Sequence, residues 1–262
     1  MNRRTLLSMA PILALAMQAK AAPEDPPMAT CCPVVELRQY TLHAGGREVL
    51  IDIFEREFVE TQEAVGIRVI GTFRDLDDPN RFVWLRGFPD MAARTKSLEA
   101  FYSGPAWQAH RDTANATMID SDNVLLLHPT TPASGFPAKA GQGDGLVVAE
   151  IRYLAPAAAA AFQAFAAERI IPQMREAGAH VLATLATEAS PNSFPKLPIR
   201  EGETVHVTFL GFSGEPAHRA WRAALAAGPD WRDGAPEALL REFSRKPEVI
   251  RLMPTKRSRL RG

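Results

Sequence analysis

The chain has 262 residues, of which 46% are hydrophobic and 23% charged, and its 30 basic and 30 acidic side chains cancel to a net charge of zero. This composition is typical of a folded globular protein, and it excludes a disordered chain, a collagen-like fibre and a protein with many membrane spans. The balanced charge gives no basic excess for binding nucleic acid, and two cysteines are too few for a disulfide-stapled scaffold.

Residues 1–21 are predicted to be an export signal rather than part of the fold. Arg3 and Arg4 precede an uncharged stretch, residues 5–18, which leads to the small-residue cleavage pattern of residues 19–21. That stretch is shorter than the roughly 20 residues that span a bilayer, so we expect cleavage and no membrane segment afterwards. The paired arginines resemble a twin-arginine signal, with an ordinary secretory leader as the alternative. Both predict a periplasmic protein.

Cleavage would redistribute the charge. The leader holds three bases and no acid, so the mature chain has 27 basic against 30 acidic side chains. Residues 255–262 hold four of those bases and no acid, and we expect them to form a frayed, solvated tail. The body between has a net charge of −7. Neutrality is therefore a cancellation, and the acidic body again argues against a nucleic-acid partner.

Cys31 and Cys32 lie at the end of a segment, residues 22–32, that we expect to be flexible. Adjacent Cα atoms are about 3.8 Å apart, below the usual disulfide range of about 4.4 to 6.8 Å. A bond between these two cysteines would be strained. A redox role or an intermolecular disulfide is one interpretation, and two thiols without a role is the other.

The first domain is predicted to span residues 33–129. Its elements are expected to alternate between strands, read from apolar alternation, and helices, read from apolar residues at helical spacing. In chain order they are a strand at Val34–Leu42, a helix at Arg47–Val65, strands at Ile67–Phe73 and Arg81–Phe88, helical stretches opening at Pro89 and restarting at Gly104, and a strand at Asn123–His128.

Residues 130–145 are rich in Pro and Gly and are predicted to be a linker. The second domain, residues 146–254, follows the same order of elements. After a first strand they are a helix from Pro156 to Gly178, strands near 179–187 and 204–212, helices near 215–227 and 236–245, and a strand near 248–253.

Four short segments recur in the same order in the two domains. Val35–Arg38 recurs as Ala149–Arg152 at an offset of 114, Gly87-Phe88 as Gly211-Phe212 at 124, Gly104–Trp107 as Gly228–Trp231 at 124, and Val124–Pro129 as Val249–Pro254 at 125. The growing offset places an insertion in the second copy, for which the loop-like Ser190–Pro198 is the candidate. Each copy reads βαββαβ, a ferredoxin-like unit. We predict an α+β fold in which two such units pack sheet to sheet as a fused barrel.

Three segments resemble the NIPSNAP family, a part of the dimeric α+β barrel superfamily. They are Val35–Leu42, Val83–Phe88 and Gly104–Gln108. The resemblance covers the first domain and is fainter in the second. It implies a barrel with its two halves fused, and it says little about activity. Relatives are described mostly as mitochondrial or interaction proteins, and other barrels of the superfamily include monooxygenases and small-molecule enzymes.

Strand alternation suggests a polar cavity. It puts Val35 and Leu37 on one face, which we expect to meet the helices, and a polar set on the other face, which we expect to point into the barrel. The expected lining is Glu36, Arg38, Tyr40, Trp84 and Arg86 from the first domain and Glu150 and Arg152 from the second. Such a lining could bind a small polar or anionic ligand. A structural ion pair between Glu36 and Arg38 in a filled barrel is the alternative.

No strong catalytic signature is present. The sequence contains no paired-histidine metal spacing, serine elbow, phosphate loop or dinucleotide fingerprint. His110 could act as a base or be an ordinary surface histidine. We predict no metal site and no cofactor, although one axial histidine would be enough for haem.

We therefore expect an exported, NIPSNAP-like, non-catalytic binding or interaction module. The alternative is a small-molecule-binding protein or an enzyme, monooxygenase-like or isomerase-like, that uses a polar cavity inside the barrel. Whether it is an enzyme stays open, as does formation of a homodimer.

Overall fold

The computed structural model describes residues 30–139, 141, 144–228 and 243–262. The predicted leader and most of the N-terminal segment, residues 1–29, lie outside the described residues. So do Pro229–Trp231 of the third repeated segment and most of the helix predicted near 236–245. No helix of the described part is long and apolar enough to cross a membrane.

The first half follows the predicted order closely. Its strands are β1 (Val34–Leu42), β2 (Arg68–Asp75), β3 (Arg81–Phe88) and β5 (Val124–Pro129), with a short additional strand, β4 (Met118–Asp120), that the sequence did not predict. Its helices are α1 (Gly46–Ile53), α2 (Val59–Ala64), α3 (Met91–Ser103) and α4 (Pro105–Asn115), and a single π-turn, Phe54–Phe58, joins α1 to α2. The side chain of Asp90 caps the start of α3 by accepting a hydrogen bond from the Ala93 amide.

The described residues of the second half repeat the order of the four long strands, and that of the helices as far as the counterpart of α3. Its strands are β6 (Leu146–Tyr153), β7 (His180–Thr187), β8 (Val205–Phe212) and β9 (Glu248–Pro254). Its helices are α5 (Ala159–Phe165), α6 (Ile171–Glu176) and α7 (Glu215–Ala227), and a second π-turn, Ala166–Ile170, joins α5 to α6. Pro156 opens a 3₁₀ turn, Pro156–Ala158, at the start of α5.

Eight of the strands close into one antiparallel barrel. Within each half the order is that of a ferredoxin-like sheet, β5-β1-β3-β2 and β9-β6-β8-β7. Strand β2 pairs with β9, and β5 pairs with β7, so each half supplies a neighbour for both edges of the other. Closure removes the open sheet edges. The predicted α+β fused barrel is confirmed.

The barrel interior is apolar, which corrects the predicted orientation of the strands. Val35, Leu37, Val83 and Leu85 belong to a cluster that also contains Val147, Ile151 and Phe209 from the opposite half. These alternate residues therefore fill the barrel. The polar set predicted to face inward lies on the other face, under the helices. Both faces are buried, so the rule that the apolar face meets the helices does not decide the orientation.

Strand pairing also corrects the repeat offset in the first strand. Val35 lies opposite Gly87 and Leu127, whereas Val147 lies opposite Gly211 and Leu252. Val35 therefore corresponds to Val147, an offset of 112 rather than 114. The two π-turns begin at Phe54 and Ala166, which gives the same offset. The Glu-x-Arg pairs of the two halves are thus displaced by two residues and are not equivalent in the fold.

The repeated Gly87 and Gly211 make room for two packed segments, one at Cys32 and one at Gly262. A Cβ atom at Gly87 would come within 2.5 Å of the Cys32 Sγ atom, and one at Gly211 would lie 3.0 Å from the Gly262 Cα atom. Any larger residue would displace the packed segment. Each glycine thus accepts a chain segment at the end of the barrel.

The C-terminal segment is anchored, so the expected frayed tail is wrong. Leu260 is 4% exposed and joins the interior cluster, and Ser258 is also buried. The Leu260 amide donates to the Ile70 carbonyl. Arg259 and Arg261 form ion pairs with Glu63 and Asp144. The basic residues neutralise acids of the body, so the segment is part of the fold.

Candidate functional site

The site is built around Glu36, which projects from β1 toward the helices. Its neighbour Arg38 lies on the same face of β1. Arg86 lies on β3 at the position paired with Glu36, and Arg94 belongs to α3. All four side chains are 0% exposed. We call these four residues the arginine cluster.

Glu36 holds the three arginines through both carboxylate oxygens. Oε2 accepts from Arg38 Nη1 at 2.7 Å and from Arg86 Nε at 2.8 Å. Oε1 accepts from Arg94 Nε at 2.7 Å. The cluster is thus one hydrogen-bonded unit that ties two strands to a helix.

The arginine cluster carries a net charge of +2 in a buried place. Burial alone would raise the pKa of Glu36, but the charges of Arg86, Arg38 and Arg94 hold it well below its usual range. Glu36 is therefore ionised at neutral pH. One carboxylate cannot neutralise three guanidinium groups, so the site favours an additional negative or electron-rich group.

An aromatic cavity of about 110 Å³ adjoins the cluster on the helix side of the sheet. Its walls are mostly aromatic rings, with Gln62 and Leu197 among the other lining residues. The rings are Tyr40, Phe54, Phe58, Trp84, Phe101, Tyr102 and Trp107. The exposed Asn115 and the half-buried Ser121 also line it, so this side meets solvent. We call this space the aromatic cavity.

The π-turn in the first helix places two of these rings. It spans Phe54–Phe58, and both phenylalanines are buried with ring centroids 6.1 Å apart. The ring centroids of Phe54 and Trp84 are 4.7 Å apart, and those of Phe58 and Trp107 are 5.6 Å apart. An extra residue in a helical turn changes the direction of its side chains, and such turns are frequent at functional sites.

The cavity wall and the arginine cluster are in contact through Arg38, which packs against two of the lining rings. The Arg38 guanidinium lies 5.4 Å from the centre of the Tyr40 ring and 5.5 Å from that of Trp84. Within the described part of the chain, Arg38 Nη2 and Trp84 Nε1 are buried without a hydrogen-bond partner. The Tyr40 hydroxyl accepts from Arg38 Nε at 2.9 Å, which leaves its own proton to donate. Burial raises the pKa of Tyr40, so this proton is retained at neutral pH.

The predicted insertion of the second half covers this site of the first half. Arg94 Nη1 donates to Asn192 Oδ1 and Ser193 Oγ, each at 3.1 Å. Phe194 is 9% exposed and stacks on Tyr102 with ring centroids 6.0 Å apart. Leu197 reaches the cavity wall. The site thus needs both halves. We call residues 190–199 the covering segment.

At the described positions that correspond to Glu36, Arg86 and Arg94, the second half has no equivalent charged residues. By the pairing register and the matched Gly-Phe positions, Val148 stands where the first half has Glu36, Leu210 where it has Arg86, and His218 where it has Arg94. Glu150 and Arg152 form an ion pair of their own, with Arg152 also 3.3 Å from Thr208 Oγ1. These two residues, predicted to join Glu36 in one cavity, lie on the far half under different helices.

The other predicted site residues lie outside the aromatic cavity. His110, the suggested base, lies on α4 with Nε2 3.4 Å from the Glu57 carboxylate and its ring against Phe58. Cys31 and Cys32 lie at the barrel end as free thiols. In the described part of the chain, no group of three or more His, Cys, Asp or Glu residues could hold a metal ion.

Sequence reasoning missed the contributions of the helices and of the covering segment. Arg94 and Gln62 are buried polar residues on helices, and Ser193 belongs to a loop of the other half. An arginine on the buried stripe of α3, beside Ser97, Leu98 and Phe101, was the available signal.

This fold and site define a fused α+β barrel with an arginine-backed aromatic cavity in its first half. Residues 35–133 match the NIPSNAP family, which confirms the resemblance over that half. No curated protein matches the chain.

Solved structures share the architecture over most of the chain. One is a "putative monooxygenase" from Lactobacillus acidophilus, 15% identical, covering 86% of this chain and 94% of its own with a TM-score of 0.55. A second of the same description, from Fusobacterium nucleatum, is 11% identical with the same coverage and a TM-score of 0.56. An anthrone oxidase-like protein is 13% identical, covering 87% of this chain and 93% of its own with a TM-score of 0.57. At such identities these likenesses establish the fold alone.

Proposed function

We propose that the first half binds a small aromatic compound bearing an oxygen acceptor, such as a carboxylate or phenolate. The observation that carries this proposal is that two residues lining the cavity keep a donor for a ligand, Trp84 through its unpartnered Nε1 and Tyr40 through its hydroxyl. Arg38, which contacts both rings, adds the unpartnered Nη2 and positive charge behind them. Buried donors normally have acceptors. An acceptor oxygen on the ligand would satisfy them and offset part of the +2 charge.

The cavity size limits the ligand to about one ring. A cavity of roughly 150 Å³ lined by apolar side chains holds benzene, and this one is about 110 Å³ with a side that meets solvent. We expect a ring bearing a carboxylate to place its oxygens near Trp84 Nε1 and the Tyr40 hydroxyl, while a substituent on the far side projects past Asn115. This favours a small-molecule binding protein over the protein-interaction module expected from sequence.

The test is calorimetric titration with benzoate and with toluene, which has a similar ring but no acceptor. Trp84→Phe keeps a ring in the wall but removes the indole donor, and we expect it to weaken benzoate binding about tenfold, the size of one hydrogen bond. The matched control is Trp221→Phe, because the Trp221 indole in the second half donates to the Met174 carbonyl at 3.1 Å. Equal effects of the two substitutions, or tighter binding of toluene than benzoate, would contradict the proposal.

Export to the periplasm is likewise a proposal. It rests on the basic, apolar and small-residue pattern of residues 1–21. Mass spectrometry of the protein recovered from a periplasmic extract tests it, and we expect a chain that begins at residue 22.

A further inference from the structure

A second group of reactive side chains lies at the end of the barrel, apart from the aromatic cavity. It contains the two adjacent thiols Cys31 and Cys32, both half-buried against the interior cluster. The Cys31 amide donates to the Phe136 carbonyl at 2.9 Å, and Thr30 pairs with Pro137. The segment predicted to be flexible is thus held against the linker just where the thiols occur.

The two thiols have different surroundings. The Cys32 side chain packs onto Gly87, and Cys32 has a left-handed backbone with φ of 67°. Cys31 lines a small crevice, which we call the thiol crevice. Cys31 therefore faces the crevice while Cys32 faces the barrel end.

The thiol crevice is strongly basic. Its charged lining residues in the described part of the chain are Arg68 from β2, Lys139 from the linker and Arg259 from the C-terminal segment. Arg68 is held by donation of Nη2 to the Ala138 carbonyl at 2.7 Å, and Arg259 pairs with Glu63. Thiolates are the reactive form of cysteine, and nearby cations stabilise them in partly exposed sites.

We propose that Cys31 and Cys32 form a thiol redox pair, in which Cys31 reacts with a peroxide and Cys32 then closes a disulfide with it. In the first step the Cys31 thiolate attacks one peroxide oxygen. An S–O bond forms, the O–O bond breaks, and hydroxide leaves and takes up a proton. In the second step Cys32 loses its proton and attacks the Cys31 sulfur, and the S–O bond breaks to release water. Two thiols are oxidised by two electrons, and hydrogen peroxide is reduced to two waters.

The pKa values of the two thiols are shifted in opposite directions, which supports this division of roles. A hydrogen bond from Cys32 lowers the pKa of Cys31, with Arg68 acting in the same direction and burial acting against it. The same contact and burial raise the pKa of Cys32. Because a disulfide between neighbours is strained, two molecules of a small external thiol should reduce it easily by exchange, themselves becoming a disulfide.

The first test is alkylation of single-cysteine variants of the full chain by iodoacetamide across pH 5 to 10. In Cys32→Ser we expect Cys31 to react at least tenfold faster at pH 6 than Cys32 does in Cys31→Ser. Adding Arg68→Gln should slow Cys31 about tenfold at pH 6. Adding Arg74→Gln should leave it unchanged, because Arg74 lies on the same strand but pairs with Glu48. A Cys31 that titrates like a free thiol would overturn the proposal.

The second test is oxidation of the wild-type chain by hydrogen peroxide. We expect a monomer on a non-reducing gel, a mass lower by about 2 Da and the loss of both thiols. Cys32→Ser should instead retain a sulfenic acid that dimedone traps. A disulfide-linked dimer would contradict the proposal and support the intermolecular bond that the sequence left open. Unchanged thiols would also overturn it.

Discussion

Glu36 is the residue on which the buried polar network depends, because it is the only carboxylate among the four members of the arginine cluster. Removal of one member of a buried ion pair leaves the others charged and desolvated, which costs about 3 to 5 kcal/mol. The second half offers a natural comparison in Glu150, whose side chain is 13% exposed and pairs with Arg152.

We predict that Glu36→Gln lowers the free energy of unfolding by about 3 to 5 kcal/mol, and that Glu150→Gln lowers it by about 1 kcal/mol, since partly exposed pairs contribute less. Urea unfolding of the two variants checks this. If Glu36→Gln is insoluble, a milder readout is the acid limb of the wild type. The lowered pKa of Glu36 means that its stabilisation is present above about pH 4 and is lost as pH falls further. Equal losses in the two variants would contradict the central role of Glu36.

His206 sets a second pH dependence. Burial, with a contribution from the charge of Arg152, lowers its pKa to about 3, while an unfolded histidine titrates near 6.5. Protonation therefore favours the unfolded chain. We predict that, as the pH falls from 6.5 to 3, His206 lowers the free energy of unfolding by up to about 1.4 kcal/mol per pH unit. His206→Leu should flatten this slope, whereas the same change at the exposed His180 should not. Parallel slopes for wild type and His206→Leu would refute the assignment.

At the scale of single residues, the sequence predicted the members of the site better than their direction. Alternation in β1 grouped Glu36, Arg38 and Tyr40 on one face, and they do share it. It could not say which face meets the helices, because both are buried and the helix side supplies its own partner, Arg94. The Glu-x-Arg pairs of the two halves were also misleading, because they are displaced by two residues along the strand. A two-residue displacement keeps a side chain on the same face of the strand, so the sequence pattern does not reveal it.

The covering segment is the element that distinguishes the halves. Its place was predicted from the change in offset, but its role depends on contacts with α3 that are about 90 or more residues away in sequence. Such contacts leave no local pattern in the sequence.

We predict that Phe194→Ala weakens benzoate binding about fivefold to tenfold, because Tyr102 would lose the ring that fixes it in the cavity wall. Calorimetry measures this. Phe165→Ala is the matched control, a half-buried phenylalanine packed in the second half. It should lower stability and leave affinity unchanged. Loss of affinity in both variants would indicate general destabilisation instead.

The C-terminal segment is a structural element rather than a tail. Leu260 fills the barrel end, whereas Arg257 pairs with Glu60 at the surface. We predict that Leu260→Ala lowers the free energy of unfolding by about 2 to 4 kcal/mol and that Arg257→Gln lowers it by about 1 kcal/mol or less. Thermal or urea unfolding distinguishes them. A negligible effect of Leu260→Ala would mean that this end of the chain is not packed in solution.

At the scale of the whole molecule, one barrel is built from two unlike halves that share an order of elements. The repeated ferredoxin-like order and the two π-turns preserve the shared framework. The first half keeps the arginine cluster and the aromatic cavity. In the second half Val148, Leu210 and His218 replace the corresponding polar residues, and its insertion covers the site of its neighbour. We expect one ligand per chain rather than two.

The order of the long elements in the described part of the chain was predictable, because helical and strand periodicities are local. The single site was not, because it depends on register and on contacts between the halves. Homodimer formation stays a prediction, and native mass spectrometry would measure it directly.

The most direct test is a crystal structure of the protein with 4-bromobenzoate, in which the anomalous signal of bromine locates the ligand. We predict one bromine site per chain on the side of the aromatic cavity near Asn115 and Ser121, with the carboxylate oxygens within hydrogen-bond distance of Trp84 Nε1 and the Tyr40 hydroxyl. A bromine site inside the barrel, an equivalent site in the second half, or no site at a concentration that saturates binding in solution would contradict a single arginine-backed aromatic cavity.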